Sequence, residues 1–424
     1  MRVLLVGGGG REHALAWKLA QSPRLTRLIA APGNPGIAAC ATSVPVKDTA
    51  LDELVALARR EQADLTVVGP ELPLSLGLGD RLREEGIAVF GPSAAAARLE
   101  SSKVFAKELM ARHDIPTARF GAFDQPAAAR NYARRLGAPL VVKVDGLAAG
   151  KGALVCRTLD DADRAIALCL EARAFGEAGH TVVLEEFLSG EEVSLFVLSD
   201  GAAVLPLTVA QDHKTIFDDD RGPNTGGMGA YSPTALFNAD VADRAMAQIV
   251  RPTISAMDKD GHPYSGVLYV QLMLTREGPK VVEFNCRFGD PECQAILPRL
   301  DQDLLPLLEA VALGRGLPAA VDWRPESSVC VVLASGGYPD AYETGRPIHG
   351  LDHVRDLAGV NVFHAGTAMK DGRLVTAGGR VLGVQALGDD LRSAIKTAYA
   401  AVERITFDGV QFRRDIGRKA LDRR

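Results

Sequence analysis

The sequence lacks the features of a membrane-spanning, secreted or nucleic-acid-binding protein. No uninterrupted apolar run reaches the ~18 residues that a membrane helix needs. No signal segment of basic and then apolar residues opens the chain. The formal net charge of −5 leaves no basic excess for nucleic acid. We therefore expect a cytoplasmic protein with neither a membrane nor a nucleic acid as a partner.

Paired cysteines and aromatic residues are also scarce. The six cysteines are scattered and form no CxxC pair, which excludes a zinc ribbon and a dithiol redox motif. Buried, reduced thiols are the expected state. Aromatic residues make up only 5% of the chain, so the cores must consist mainly of Val, Leu, Ile and Ala.

Length and glycine content are high instead. The 424 residues, 47% of them hydrophobic, are enough for about two to four domains and exclude disorder as the main state. The 43 glycines exceed the usual share of about 7%. Since no Gly-X-Y period is present, this excess indicates tight loops.

Strands alternate with helical patterns in the first hundred residues. The apolar runs Arg2–Val6, Arg27–Ala31 and Asp64–Val68 each end in a glycine- or proline-containing turn. Alternation of this kind predicts a parallel sheet with helices on both faces. Runs without polar interruption fit strands that are buried on both sides.

The glycine run after the first strand suggests a phosphate site. A dinucleotide fingerprint fails here, because Glu12 and His13 stand where its last glycine would be needed. A nicotinamide-dependent oxidoreductase is therefore the weaker alternative. Free N–H groups at a helix N-terminus still suit a phosphate, and Arg11 adds positive charge.

A second glycine-rich segment covers residues 146–152. It is not a Walker A loop, because the first glycine and the Ser or Thr of that motif are missing and a strand-like run follows. The segment predicts a hairpin between Pro139–Asp145 and Ala153–Arg157, with backbone N–H groups and Lys151 available to phosphates. Lys143 lies on the apolar strand before it and needs an anionic partner there.

Polar residues recur at every second position of the run from Lys280 to Arg287. On a strand, Glu283, Asn285 and Arg287 would share one face. Carboxylate and amide oxygens suit Mg²⁺, which proteins commonly hold with one or two carboxylates and substrate phosphates. The runs Val267–Thr275 and Pro279–Cys286 predict an antiparallel pair.

Two further segments carry weaker signals. Glu185 to Leu188 join two strand-like runs, and such a linker can bind adenine through its backbone, while Glu192 could hold a ribose. The residues from Asp212 to Pro233 predict a long, polar, glycine-rich loop. Loops of this length are usually functional or disordered.

Taken in order, these features resemble the ATP-grasp family. Within it, the chain is similar from end to end to the phosphoribosylamine–glycine ligase family. The segments that carry this resemblance are 9–15, 31–34, 69–71, 145–152, 211–214, 222–231 and 283–292. Gly8 and Val144 are small departures from the family pattern.

The resemblance implies an α/β and α+β multidomain fold. We expect an N-terminal open parallel α/β domain for phosphoribosylamine (1–102), a central ATP-grasp fold (103–326) with a mobile lid subdomain at about 121–190, and a small C-terminal α/β domain (327–424). The implied reaction joins glycine to 5-phosphoribosylamine through glycyl phosphate, consumes ATP, and is the second step of de novo purine biosynthesis. A monomer is expected, with a dimer as the alternative.

The resemblance also implies roles for individual residues, with ATP as a substrate and Mg²⁺ or Mn²⁺ as the metal. The catalytic candidates are Lys214, Arg287, Asp212 and Asp290. The ATP-binding candidates are Lys103, Lys143, Gly146, Gly150, Lys151, Gly152, Glu185, Glu186, Phe187, Leu188 and Glu192. The metal candidates are Glu283 and Asn285. The candidates for binding phosphoribosylamine or glycine are Gly9, Gly10, Arg11, Glu12, His13, Asn34, Glu71 and His213.

Two alternatives besides the oxidoreductase remain open at this point. Another ATP-grasp enzyme, such as a carboxylase or a peptide-type ligase, would share the features of 143–192 and 283–285. It would give no reason for the 222–231 loop or for the segment 290–292. A non-catalytic binding or scaffold protein would not need Lys143, Glu283 and Asn285 together.

Overall fold

A parallel sheet organises the N-terminal part of the chain. The computed structural model describes residues 1–148 and 152–422. The sheet has the order β3-β2-β1-β4-β5 with all pairs parallel, which confirms the predicted open parallel α/β architecture. Its elements are β1 (Arg2–Gly7), α1 (Gly10–Leu19), β2 (Arg27–Pro32), β3 (Thr42–Ser43), α2 (Leu51–Arg60), β4 (Leu65–Val68), α3 (Glu71–Ser75), α4 (Leu78–Glu84), β5 (Ala88–Phe90) and α5 (Ala94–Ser101).

A small antiparallel sheet follows, in the order β6-β9-β7-β8. The predicted hairpin at the second glycine-rich segment is confirmed, because β7 and β8 pair antiparallel. The sheet has its own apolar core, which includes Val142, Ile166 and Leu184. Its elements, after helix α6 (Lys103–Arg112), are β6 (Phe120–Phe123), α7 (Pro126–Leu136), β7 (Leu140–Val144), β8 (Ala153–Cys156), α8 (Leu159–Ile166) and β9 (Val182–Glu186).

The largest sheet joins the centre of the chain to its C-terminal part. Its order is β16-β15-β10-β11-β14-β17-β21-β18, and β22 pairs with β17. The central elements are β10 (Glu191–Asp200), β11 (Val204–Asp212), β12 (Thr215–Phe217), β13 (Arg221–Asn224), β14 (Gly229–Ser232), α9 (Ala239–Ala245), α10 (Arg251–Lys259), β15 (Ser265–Thr275), β16 (Gly278–Asn285), α11 (Glu292–Ile296) and α12 (Leu304–Leu313). The C-terminal elements are β17 (Ser327–Ser335), β18 (Val360–His364), β19 (Thr367–Lys370), β20 (Arg373–Thr376), β21 (Arg380–Gly388), α13 (Leu391–Val402), β22 (Val410–Gln411) and α14 (Arg418–Asp422).

Two sequence-based expectations about this region have different outcomes. The antiparallel pair of β15 and β16 is confirmed. The expectation of a long loop from Asp212 to Pro233 is wrong, because this segment holds the hairpin β12–β13 and the strand β14. Its polar, glycine-rich composition hides these strands, since β13 is exposed along its whole length and β14 is only four residues long.

Packing between the sheets depends on a few aromatic residues. Phe288 stacks on Phe90 of the parallel sheet and on Phe196 of the largest sheet, with ring centroids 6.3 and 6.2 Å apart. The surrounding core combines residues from both sheets and is otherwise mainly aliphatic. All six cysteines are free thiols and five of them are buried, as the sequence indicates. Among the described residues, no helix is long and apolar enough to cross a membrane.

Gly350 is required by a close backbone approach. Its φ is +87°, and a Cβ there would lie 1.8 Å from the carbonyl oxygen of Arg404, whereas a Cβ on Gly372 (φ +75°) would contact nothing. Gly372→Ala should lower the free energy of unfolding by about 1–2 kcal/mol, the cost of a left-handed conformation. Gly350→Ala should lower it by about 1–3 kcal/mol more through overpacking. Urea denaturation of both variants measures this difference, and equal losses would contradict it.

Candidate active site

Four cations surround the carboxylate of Glu283 near the end of β16. Burial alone would raise the pKa of the Glu283 carboxyl, but Lys214, Lys143, Lys103 and Arg287 together hold it below its usual value. The Glu283 side chain has no hydrogen bond or ion pair within the described residues. It is therefore an ionised carboxylate that the described side chains leave available to a ligand.

Asn285 lies two residues further along β16 and is buried. Its Oδ1 accepts a hydrogen bond of 3.0 Å from Nη2 of Arg287, so the predicted proximity of these polar side chains is confirmed. The same guanidinium donates to Glu71 (Nε to Oε2, 3.3 Å) and forms an ion pair with Glu100 (Nη2 to Oε1, 2.9 Å). Arg287 thus connects Asn285 to two carboxylates from the N-terminal part of the chain.

Sequence reasoning missed Glu100. Its Oε2 accepts a hydrogen bond of 2.6 Å from the backbone N–H of Cys286, and burial raises its pKa to about 7 against the opposing effect of Arg287. The available signal was an acidic residue at the buried C-terminal end of a helix, three residues before Lys103. A pattern this short does not distinguish such a residue from an ordinary surface glutamate.

Lys143 has the anionic partner that its apolar strand predicted, and this partner is Glu185. Nζ of Lys143 lies 3.0 Å from Oε2 of Glu185 and donates to the carbonyl of Val282 at 2.9 Å. Lys107, which sequence reasoning also missed, lies 3.1 Å from the same Oε2. The other oxygen of Glu185, Oε1, is buried without a hydrogen-bond partner. The spacing of Lys107 four residues after Lys103 on α6 was its only signal.

The remaining predicted ATP-binding residues lie on α6, around the β7–β8 hairpin and at the end of β9 or the start of β10. Nζ of Lys103 donates to the carbonyl of Gly146 at 3.2 Å. Gly152 precedes β8, while Gly150 and Lys151 lie outside the described residues. Glu186 pairs with Arg119 at 2.6 Å. The exposed Phe187 and the half-buried Leu188 follow the end of β9, and the half-buried Glu192 is the second residue of β10.

Lys214 lies among carboxylates. Its Nζ is 3.3 Å from Oε2 of Glu192, and although burial acts in the opposite direction, Glu192, Glu283 and Asp212 raise the pKa of this amine. Burial, together with Glu292, raises the pKa of Asp212 well above its usual value. Glu292 was not singled out in the sequence; its Oε1 accepts hydrogen bonds from the hydroxyls of Tyr269 (2.7 Å) and Ser194 (3.1 Å).

The imidazole ring of His213 contacts neither Asp212 nor Asp290 among the hydrogen bonds of the described residues. Nδ1 of its ring lies 3.3 Å from the carbonyl of Gly229, and Nε2 accepts a hydrogen bond of 3.3 Å from the backbone N–H of Gly417. Burial lowers the pKa of this imidazole to about 4. The ring is thus a neutral group between β14 and the C-terminal segment.

The glycine run after β1 packs against the segment that follows β16. The N–H of Arg11 donates to Oδ2 of Asp290 at 3.2 Å, and the Arg11 guanidinium lies 3.8 Å from Glu71. Glu12 accepts from the N–H of Gly9 and pairs with Arg11 Nε at 2.5 Å. Gly10 begins α1 beside Asp290, where a Cβ would lie 3.6 Å from Oδ1 of that carboxylate.

Two predicted substrate residues of the N-terminal part are instead engaged with backbone. Nδ2 of Asn34 donates to the carbonyls of Gly8 (2.9 Å) and His364 (2.8 Å), and its Oδ1 accepts from two backbone N–H groups. His13 accepts from the N–H of His364 at 2.7 Å. Both residues therefore attach the glycine run to β18.

Arg380 brings a C-terminal residue into the site. Its Nη1 lies 3.4 Å from Oδ1 of Asp290 and donates to the carbonyl of Gly226 at 2.7 Å. No local pattern in the sequence distinguished this arginine.

Cations gathered around a free carboxylate on a sheet edge, next to a separate antiparallel sheet, define an ATP-grasp ligase.

Comparisons with known proteins support this class and give the family. Three models of phosphoribosylglycinamide synthetase match: the N domain at residues 1–100, the ATP-grasp (A) domain at 101–293 and the C domain at 328–419. A phosphoribosylamine–glycine ligase of Rhizobium meliloti is 52% identical over 100% of this chain and 99% of its own length. One from Pseudomonas aeruginosa is 49% identical with the same coverage.

Solved structures agree with the sequence comparisons. A phosphoribosylamine–glycine ligase from Thermotoga maritima has a TM-score of 0.86 and 33% identity, covering 98% of this chain and 100% of its own. A biotin carboxylase domain from Hydrogenobacter thermophilus, solved with MgADP and bicarbonate, has a TM-score of 0.74 at 18% identity, covers 97% of this chain and 91% of its own, and shows a shared fold. The chain belongs to the phosphoribosylamine–glycine ligase family. It is a ligase of the glycine step of purine biosynthesis.

The burial of Lys107 predicts a pH effect on stability. Burial, and less strongly Lys143, lower the pKa of Lys107 from 10.5 to about 8. Between these values the folded protein binds fewer protons than the unfolded chain, so this group makes the free energy of unfolding rise with pH.

Lys107→Met removes this contribution. Urea denaturation at several pH values within this window should therefore show a smaller rise for the variant than for the native sequence. An identical rise in both proteins would show that Lys107 is not the group responsible.

Proposed function

We propose that the chain divides the reaction among three regions. Residues 1–102 bind 5-phosphoribosylamine, residues 103–326 bind ATP and glycine under a mobile lid at about 121–190, and residues 327–424 complete the site. The observation that carries this proposal is the convergence of Lys103, Lys143, Lys214 and Arg287 on the free carboxylate of Glu283. Such an arrangement suits a polyanion held together with a metal ion.

A divalent metal fits the residues at the end of β16. Glu283 offers an ionised carboxylate without a hydrogen-bond or ion-pair partner among the described residues. The hydrogen bond from Arg287 to Oδ1 of Asn285 fixes the orientation of that amide. No cluster of three acidic, His or Cys ligands exists within the described residues, so substrate phosphates would complete the coordination, as is usual for Mg²⁺. When bound, Mg²⁺ or Mn²⁺ neutralises phosphate charge and orients the transferring group.

Charge repulsion is the main obstacle to the first step. Each pair of unit negative charges 4 Å apart costs about 4 kcal/mol at an effective dielectric constant near 20. In this step a glycine carboxylate oxygen bonds to the γ-phosphorus of ATP, and the bond from that phosphorus to the bridging oxygen of ADP breaks. Lys103, Lys143 and Lys214 lower the repulsion and stabilise the charge of the transferring group.

The second step uses the glycyl phosphate that the first step forms. The amine nitrogen of phosphoribosylamine bonds to its carbonyl carbon, phosphate leaves with the electrons of the carbon–oxygen bond, and the amine loses one proton. The small antiparallel sheet, with Lys143 on β7 and Glu185 on β9, forms the lid that excludes water from the anhydride. Glu185 to Leu188 frame the adenine, and Glu192 holds the ribose of ATP.

The contacts of Arg287 revise its proposed role. Its nitrogens donate to Glu71, Asn285 and the carbonyl of Phe288, and one of them forms an ion pair with Glu100. We therefore assign it to orienting Asn285 and supplying positive charge rather than to direct contact with the phosphoryl group.

Phosphoribosylamine is proposed to bind where β1 and β4 end. Ligands of open parallel sheets bind beyond the carboxyl ends of their strands. The N-terminal end of α1 offers N–H groups for the phosphate, with Arg11 and Glu71 beside it. Asp290 and Asp212 are the candidates for the glycine ammonium group or the attacking amine. Cytoplasmic location and a monomeric state, with a dimer as the alternative, remain part of the proposal.

Glu283→Gln tests the proposed metal site. Replacing the carboxylate by an amide of the same shape should leave the fold intact and lower metal-dependent phosphate release by at least about 100-fold, as loss of a main electrostatic contributor does. Direct titration with Mn²⁺ in the presence of ATP should show weakened metal binding. Glu277→Gln is the matched control, because Glu277 is exposed and lies directly before β16. Retained turnover in Glu283→Gln would remove Glu283 as a ligand.

Glu71→Gln tests the proposed site for phosphoribosylamine. Loss of the charge that faces Arg11 and Arg287 should raise the KM for phosphoribosylamine by about tenfold, equal to ~1.4 kcal/mol, while the KM for ATP stays within twofold. Phosphate release in the presence of glycine, measured first at varied phosphoribosylamine and then at varied ATP, provides both constants. The exposed Glu85→Gln serves as control, and a parallel rise in both KM values would argue against a separate site.

A further inference from the structure

Residues 413–419, here called the C-terminal segment, hold the β12–β13 hairpin, which begins directly after Lys214. Arg413 is a fully buried arginine at 0% exposure, far in sequence from the candidate active site. Its Nη1 donates to the carbonyl (3.2 Å) and the hydroxyl (2.9 Å) of Thr215, the residue after Lys214. Its Nη2 donates to Asp220 at the hairpin end at 3.0 Å.

Asp415 fixes the orientation of this guanidinium. Its two carboxylate oxygens accept from Nε and Nη2 of Arg413, both at 2.7 Å, and one of them also accepts from the N–H of Asp219 at 2.9 Å. Charge-assisted, bidentate contacts of this kind fix geometry more strictly than single neutral hydrogen bonds. The backbone of the hairpin is therefore held at both of its ends.

Apart from Ile216, which packs with Met228 and Ala334, the hairpin is largely exposed. Its strand β13 is exposed along its length, and Asp219 and Asp220 have positive φ values of 59° and 51°. Non-glycine residues keep such conformations only where surrounding contacts enforce them. The contacts here come from the C-terminal segment, including ion pairs of Arg418 with Asp219 and of Lys419 with Asp220.

The same segment also reaches the base of the hairpin. The ring of His213 accepts from the N–H of Gly417, and Thr225 closes the base by donating its N–H and its hydroxyl to the carbonyl of Lys214, both at 2.7 Å. Lys214 is thus placed between two anchored neighbours, with its amine near Glu192.

We propose that Arg413, held by Asp415, is a positioning residue for the phosphoryl-transfer step, which acts by fixing the β12–β13 hairpin so that Lys214 faces the transferring group. This inference rests on the role of Lys214 in the proposed function. Arg413 itself touches no reacting atom. A displacement of about 1 Å at a catalytic group can cost 100-fold in rate, so loss of the anchor acts on turnover and leaves nucleotide binding in place.

The test compares Arg413→Gln with its neighbour Arg414→Gln in the full-length chain. The side chain of Arg414 is exposed and lies over the ring of Phe412, 4.9 Å from its centroid. Arg413→Gln should lower kcat by about 100-fold, while the Kd for ADP, measured by calorimetry, stays within twofold. Arg414→Gln should change neither constant. A purely structural role would change the folded fraction, which circular dichroism reports, without separating kcat from Kd.

Thr215→Val supplies a milder variant in case Arg413→Gln does not fold. It removes one acceptor of Arg413 from the hairpin and should lower kcat by about threefold to tenfold, the range for one hydrogen bond. Full kcat in folded Arg413→Gln, or in Thr215→Val when the first variant does not fold, overturns the proposal. So does an ADP affinity that falls in parallel with kcat.

Lys214→Ala, measured alongside, separates the catalytic role of Lys214 from the positioning role of Arg413. If this variant keeps its kcat, the role of Lys214 in the proposed function is wrong, and the positioning role fails with it. If Lys214→Ala loses kcat and the variants of the anchor do not, the catalytic role of Lys214 stands and only the role of Arg413 is removed.

Discussion

Compensation of charge around Glu283 is the constraint on which the arrangement of the three sheets depends. Lysines and an arginine brought together without carboxylates would repel one another and lose their hydration. Both signs of charge are therefore supplied together: Lys143 and Glu185 pair within the small antiparallel sheet, and Glu192 on the largest sheet pairs with Lys214, which lies between β11 and β12. The site forms only when these elements meet.

Arg287 shows how this compensation also connects the substrates. Its guanidinium contacts Glu71 at the start of α3, Glu100 at the end of α5 and Asn285 on β16. A buried arginine with several carboxylates is costly to disrupt, because removing one partner leaves a buried charge without compensation. The group proposed to bind phosphoribosylamine and the group proposed to bind the metal thus share one rigid connection.

Features coded by local pattern could be predicted from the sequence, and features made by distant contacts could not. The parallel sheet and the β7–β8 hairpin follow from periodicity and turn residues. The expectation that Arg287 shares a strand face with Glu283 and Asn285 is wrong, because β16 ends at Asn285 and Arg287 lies beyond it, although its side chain still contacts Asn285. Glu100 and Arg413 carry no such signal. Glu100 meets its partner 186 residues along the chain, and Arg413 meets Thr215 at a separation of 198.

The contacts of two candidate substrate residues follow the same physical rule. Asn34 and His213 are polar residues in glycine-rich segments, which favours a role in ligand binding when only the sequence is considered. Their hydrogen-bonding groups are instead engaged by the backbone of distant segments. The strands within 212–233 were missed because distant contacts, rather than apolar alternation, hold them: β14 pairs with β11 and β17, and the C-terminal segment contacts the β12–β13 hairpin.

The position of β14 has a consequence for how the molecule unfolds. Because β14 pairs with both β11 and β17, the hydrogen-bonded ladder runs without interruption from the centre of the chain into its C-terminal part. Opening one side exposes the edge of the other, so these two regions form a single cooperative unit. The small antiparallel sheet has a separate core and can open on its own. Cooperativity is thus divided between a large unit that shares one continuous ladder and a small sheet with its own core.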